Sequence, residues 1–177
     1  MPNWCECDLY IEGPSEKIDQ FLQLVKSEDS DFEFNRLVPY PEHFKKQDDL
    51  AAEWDKLHPT PQVEEFRKER PKDGYNQGGY EWCIEHWGTK WNAENPLIGE
   101  RESWYGNTPD WQRLEINFDT AWSPPTPVIK RAAELFPELC FDLRYFEGGS
   151  MFNGMFTCEH GEVVTDESGH YFGNRGG

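Results

Sequence analysis

The chain predicts an α+β fold: one antiparallel sheet with two helices on a single face, and a helical, aromatic-rich insertion between its halves. Three observations carry this expectation. Apolar and polar residues alternate with period two at 5–12, 114–119 and 139–146; helical-period stripes lie at 18–25 and 128–136; and the stretch 41–110 breaks both patterns.

Each element follows from its residues. Cys5, Cys7, Leu9 and Ile11 alternate with Glu6, Asp8, Tyr10 and Glu12, as in a strand with one buried face. Gly13-Pro14-Ser15 stops that strand, and Ser15 is the expected N-cap of a helix that puts Ile18, Phe21, Leu22 and Val25 on one side. After the turn Asp29-Ser30-Asp31, the residues Phe32, Phe34 and 36–38 predict a second strand, ended by Pro39 and Pro41. That completes a β-α-β unit over 4–40. Within the insertion 41–110, residues 45–58 predict a helix striped by Leu50, Trp54 and Leu57, and 61–70 a second with Val63 and Phe66 inward. Residues 68–79 read as a polar loop. Residues 80–88 predict two helical turns with Tyr80, Cys83, Ile84 and Trp87 on one face, closed by Gly88 at the C-cap. The span 89–92 reads as extended, and 93–110 as turns.

The second half, 111–165, reads β-α-β-β. Leu114, Ile116 and Phe118 mark a strand. Pro124-Pro125-Thr126-Pro127 leads into a helix carrying Val128, Ile129, Ala132, Leu135 and Phe136, with Ser123 as its cap. Leu139, Phe141, Leu143 and Tyr145 mark the next strand; Gly148-Gly149 turns the chain into a last strand at 152–160, and 166–177 is a frayed tail. Two β-α-β halves on one sheet make the ferredoxin-like topology, a chain order that implies no iron.

Charge and composition narrow the function classes. Lys and Arg number 17 against 34 Asp and Glu, so the net charge is −17 and no basic stripe is visible to neutralise phosphates; direct binding to a nucleic-acid backbone is not expected. An acidic surface could instead imitate a phosphate array, but the carboxylates are spread through both halves rather than massed. Aromatics at 15% exclude whole-chain disorder, and no apolar run reaches the ~20 residues of a membrane span. The start Met1-Pro2-Asn3-Trp4 lacks a basic, apolar leader, and five cysteines without a Cys-x-x-Cys pair suit reduced thiols; the expected location is the cytoplasm.

Candidate chemistry sits at four places. Trp87, Lys90, Trp91 and Asn92 offer an aromatic platform beside a cation, suited to a nucleotide-like ligand or a partner loop; the same stripe also suits a short helix covering a sheet. Trp122 and Ser123 wall a strand-to-helix turn that can hold an anion or simply be a rigid turn. Glu85, His86 and Asp119 would serve as acid–base groups if helix and strand meet. Cys5, Cys7, Cys158 and His160 are zinc-type ligands, although the two Cys share parity with buried Leu9 and Ile11. No phosphate loop, nucleotide fingerprint, nucleophile elbow or HExxH is present, so no cofactor is expected.

Five segments carry a family likeness: 1–5, 82–92, 118–125, Phe136-Pro137, and Tyr145-Phe146-Glu147-Gly148-Gly149 with Phe152 and Gly154. Together they resemble the YubB-like family of plasmid- and phage-borne bacterial proteins, over nearly the whole chain. The resemblance implies a ferredoxin-like domain and a mobile-element setting, and it brings no catalytic residues. The expectation that follows is a non-catalytic binding module for a host protein or a small nucleotide-like ligand, with counter-defence as its setting. An acid–base enzyme and an acidic nucleic-acid mimic are the alternatives.

Overall fold

The computed structural model describes residues 3–59, 69–103 and 110–170. In chain order the elements are β1 (Trp4–Pro14), α1 (Ser15–Val25), α2 (Glu42–Leu57), α3 (Gly79–His86), β2 (Glu94–Ile98), β3 (Glu102–Ser103), β4 (Trp111–Ala121), α4 (Thr126–Leu135), β5 (Cys140–Glu147), β6 (Phe152–Glu159) and β7 (Glu162–His170). Single 3-10 turns lie at Phe34–Arg36 and Tyr75–Gln77. The strands form one antiparallel sheet in the order β2-β4-β1-β5-β6-β7, with β3 also on β4.

The alternation of β1 explains its central place. Cys5, Cys7, Leu9 and Ile11 are buried, level with Phe118, Ile116 and Leu114 of β4 and with Tyr145, Leu143 and Phe141 of β5. Helices α1 and α4 cover this face through Ile18, Phe21 and Val25, and through Val128, Ile129, Ala132 and Ala133. The ring of Phe21 lies 5.4 Å from Phe141 and 5.6 Å from Phe136, which ties both helices to the sheet. The other face carries Glu6, Asp8, Tyr10 and Glu12 of β1 and their neighbours on β4 and β5. No helix among the described residues is long and apolar enough to cross a membrane.

The structure corrects several expectations. Phe32 and Phe34 are fully buried but form no strand. Their backbone is held by side chains: Asn92 Oδ1 accepts from Phe34 N at 2.8 Å, and Ser30 Oγ from Phe32 N at 3.2 Å. The place beside β4 that a second strand would take belongs to β2, whose Pro96 is tolerated because β2 is an edge strand. The excursion from the sheet therefore runs from 26 to 93. On α2 the expected stripe faces outward, with Leu50 57% and Leu57 71% exposed, and the buried residue is Ala51. Most of the helix expected at 61–70 lies outside the described residues. On α3, Cys83 and Trp87 are buried while Ile84 is exposed, and Trp82 packs on Tyr40 and Trp87 instead.

Ser15 and Ser123 make no cap. Pro14 and Pro125 stand at the two N-cap positions without side-chain bonds. The stretch 89–92 bends rather than forming a strand. Residues 162–170, half of which were expected as loose tail, form β7, joined to β6 by His160-Gly161 at φ +54° and +81°. Both central residues at positive φ make a type I′ hairpin turn, which suits the twist of the strands.

Candidate functional site

Gly88 ends α3 at φ +80°, and its N–H closes on the Cys83 carbonyl at 3.1 Å. A side chain there would meet Pro127 Cδ at 2.7 Å and the Pro124 carbonyl at 2.9 Å, so only glycine lets the end of α3 approach the proline turn. Three hydroxyls lock this contact. Ser123 Oγ donates to the Gly88 carbonyl at 2.6 Å, Thr89 Oγ1 to Ala121 at 2.9 Å, and Thr120 Oγ1 to Ser123 at 2.9 Å. Ser123 Oγ is thus engaged at the loop junction.

Trp87 is not part of an open platform. It is 6% exposed, its Nε1 donates to the Val38 carbonyl at 2.8 Å, and its ring meets Phe34, Tyr40 and Trp82. Asn92 is likewise occupied with the Phe34 amide. Lys90 and Trp122 remain at the surface together, with Lys90 Nζ 4.8 Å from the Trp122 ring centre and 5.8 Å from that of Tyr80. Trp122 is 41% exposed at φ +74°, and its N–H donates to Asn3 at 3.0 Å. Trp91 meets Trp4 edge to face at 6.4 Å, and its buried Nε1 has no hydrogen-bond partner among the described residues.

Trp4 was missed as a site residue, although its parity with Glu6 and Asp8 places a tryptophan on the polar face of β1. It walls a pocket of about 440 Å³ on that face, lined also by Glu6, Asp8, Asn95, Leu97, Asn117 and Asp119. Asn117 Nδ2 donates to Asp8 Oδ1 at 3.0 Å and Glu115 Oε1 at 2.9 Å. Burial pushes the Asp119 carboxyl up, against a hydrogen bond from Asn95 that lowers it.

The acid–base trio is not assembled. His86 stacks on Trp82 at 4.5 Å with Nδ1 3.0 Å from the Trp82 carbonyl, and Glu85 is exposed beside it on α3. Asp119 lies across the sheet from them, since its neighbour Phe118 faces Phe32 and Phe34 on the core side. The zinc candidates are also apart. Cys5 and Cys7 stand level with Glu147 and Tyr145, whereas Cys158 pairs with Phe141 and His160 is exposed in the hairpin turn. Burial pushes the thiols of Cys7 and Cys158 up, the latter to about 11, which keeps them protonated near neutral pH. Among the described residues no three His, Cys, Asp or Glu side chains form a metal-binding group.

Residues 86–172 match the family model described as the ferredoxin-like domain in Api92-like protein. The solved structure of protein api92 from Yersinia pseudotuberculosis is similar, with TM-score 0.52 and 11% identity, over 98% of this chain and 99% of that one. At that identity the likeness is one of fold. No curated protein matches the chain.

Proposed function

We propose that the protein is a non-catalytic binding module, and that its contact surface is the corner formed by Trp4, Lys90, Trp91 and Trp122. The observation that carries this reading is Trp122 itself. A bulky residue at φ +74° is strained by ~1–2 kcal/mol, yet 41% of it stays exposed, with Lys90 above the ring. Strain of this kind persists where a side chain has to be presented. Carboxylates beside the corner repel phosphates, so the reading favours a protein partner over a nucleotide-like ligand. The resemblance to plasmid- and phage-borne YubB-like proteins favours a host protein as that partner, with interference in host defence as the proposed use.

Trp122→Gly tests the reading, because glycine accepts positive φ and removes only the ring. With the tagged full chain cross-linked in bacterial lysate, the variant is expected to keep the wild-type Tm within a few degrees and to lose the captured protein. The same protein captured equally by Trp122→Gly and Trp4→Ala would overturn the proposal.

A further inference from the structure

We infer that the pocket walled by Trp4 receives an arginine guanidinium from a basic, extended segment of the partner protein. This rests on the reading of the corner as a protein-binding surface and names the chemistry that it recognises.

The polar face of the sheet has two ends, and one displays the arrangement that the other leaves incomplete. Around Tyr10, the guanidinium of Arg113 lies 4.3 Å from the ring centre and that of Arg144 5.9 Å. Arg113 also meets Glu12 at 3.6 Å, and Arg144 meets Asp142 at 3.1 Å. That end is therefore a ring, two guanidiniums and their carboxylates, all supplied by the chain.

At the other end the ring is Trp4. Glu6 stands directly opposite Asp119 across β1 and β4, and Glu94 stands opposite Asp119 on its other side. Like charges placed opposite each other across strands are destabilising. Among the described residues neither Glu6 nor Asp119 has a Lys or Arg within ion-pair distance. The missing member of the set is a cation, on a face that no helix of the described residues covers. The carboxylates that line the pocket, Glu6 and Asp8 of β1 and Asp119 of β4, lie in a row across two neighbouring strands rather than gathered around a point. A planar, five-donor guanidinium can bridge such a row and stack on Trp4, whereas a compact ammonium or metal ion cannot span it. Leu97, 66% exposed at the rim, gives the aliphatic stem an apolar surface.

The test uses the full chain, labelled with nitrogen-15, and two blocked pentapeptide probes, Gly-Arg-Gly-Arg-Gly and Gly-Lys-Gly-Lys-Gly, in 150 mM salt. Expected are saturable shifts at the Trp4 indole and the amides of Glu6 and Asp119, with the arginine probe several-fold tighter. Glu6→Gln with Asp119→Asn is expected to weaken that binding at least tenfold without lowering Tm. No saturable binding, no preference for arginine, or unchanged affinity in the double variant would each overturn the inference. The double variant also separates the two proposals. If it keeps the cross-linked partner while Trp122→Gly loses it, the binding module stands and the arginine pocket falls.

Discussion

Asp119 lies between Glu6 and Glu94, and the fold holds its carboxyl above the usual aspartate value by burial. A carboxylate whose folded pKa is raised is penalised when charged, so it lowers stability at neutral pH, and the penalty fades as pH falls through the folded pKa. Asp119→Asn is therefore expected to raise Tm at pH 7. The gain should vanish below the ordinary Asp value of 3.8, where Asp119 is protonated folded or unfolded. Thermal melts of both proteins from pH 3 to pH 8 check this, and a constant difference across that range would contradict it. The same scale shows what a sequence conceals. Asn92 and Trp87 stand out by composition, yet one caps the Phe34 amide and the other bonds Val38. Their polar atoms meet residues far away in the chain, and no local period encodes such a pairing. Trp4 was legible in kind, as a tryptophan on the polar side of an alternating strand, but its pocket needed Asn95 and Leu97 from β2.

At the scale of elements, strands flanked by helices were legible because one buried face imposes alternation. β1, β4 and β5 all carry it, and both covering helices carry the matching stripe. Edge strands escape that constraint. β2 contains a proline and a register shift, and β7 is exposed along nearly its whole length, so neither has a pattern to read. What fixes β7 is its turn. His160 at φ +54° occupies a position that asparagine adopts more readily, and Gly161 at φ +81° one that disfavours a Cβ. His160→Asn is expected to stabilise the protein by up to about 1 kcal/mol, and Gly161→Ala to destabilise it by roughly 1–2 kcal/mol. Urea unfolding measures both. A loss of stability in His160→Asn would contradict the part given to the turn.

For the whole molecule, 34 acidic residues against 17 basic ones leave a self-repulsion that the surface ion pairs only partly offset. Those pairs are exposed or half-exposed, as with Lys17–Glu138 at 2.7 Å and Arg70 bridging Asp55 and Asp73, and solvent screening leaves each with little to contribute. Arg70 holds the Asp55 carboxyl below its usual value by hydrogen bonding, so that contact contributes above the unfolded pKa and is lost as pH falls, opposite in sign to Asp119. Salt screens repulsion and attraction alike, with a Debye length of ~10 Å at 0.1 M, but the unpaired excess is all of one sign. Tm is therefore expected to rise between 10 mM and 300 mM sodium chloride; a fall would mean that the pairs outweigh the repulsion. Over the same range the arginine probe should bind more weakly, because its attraction to Glu6 and Asp119 is screened too. Stability and affinity moving in opposite directions with salt would place the excess charge at the surface as a recognition feature that the fold bears at some cost.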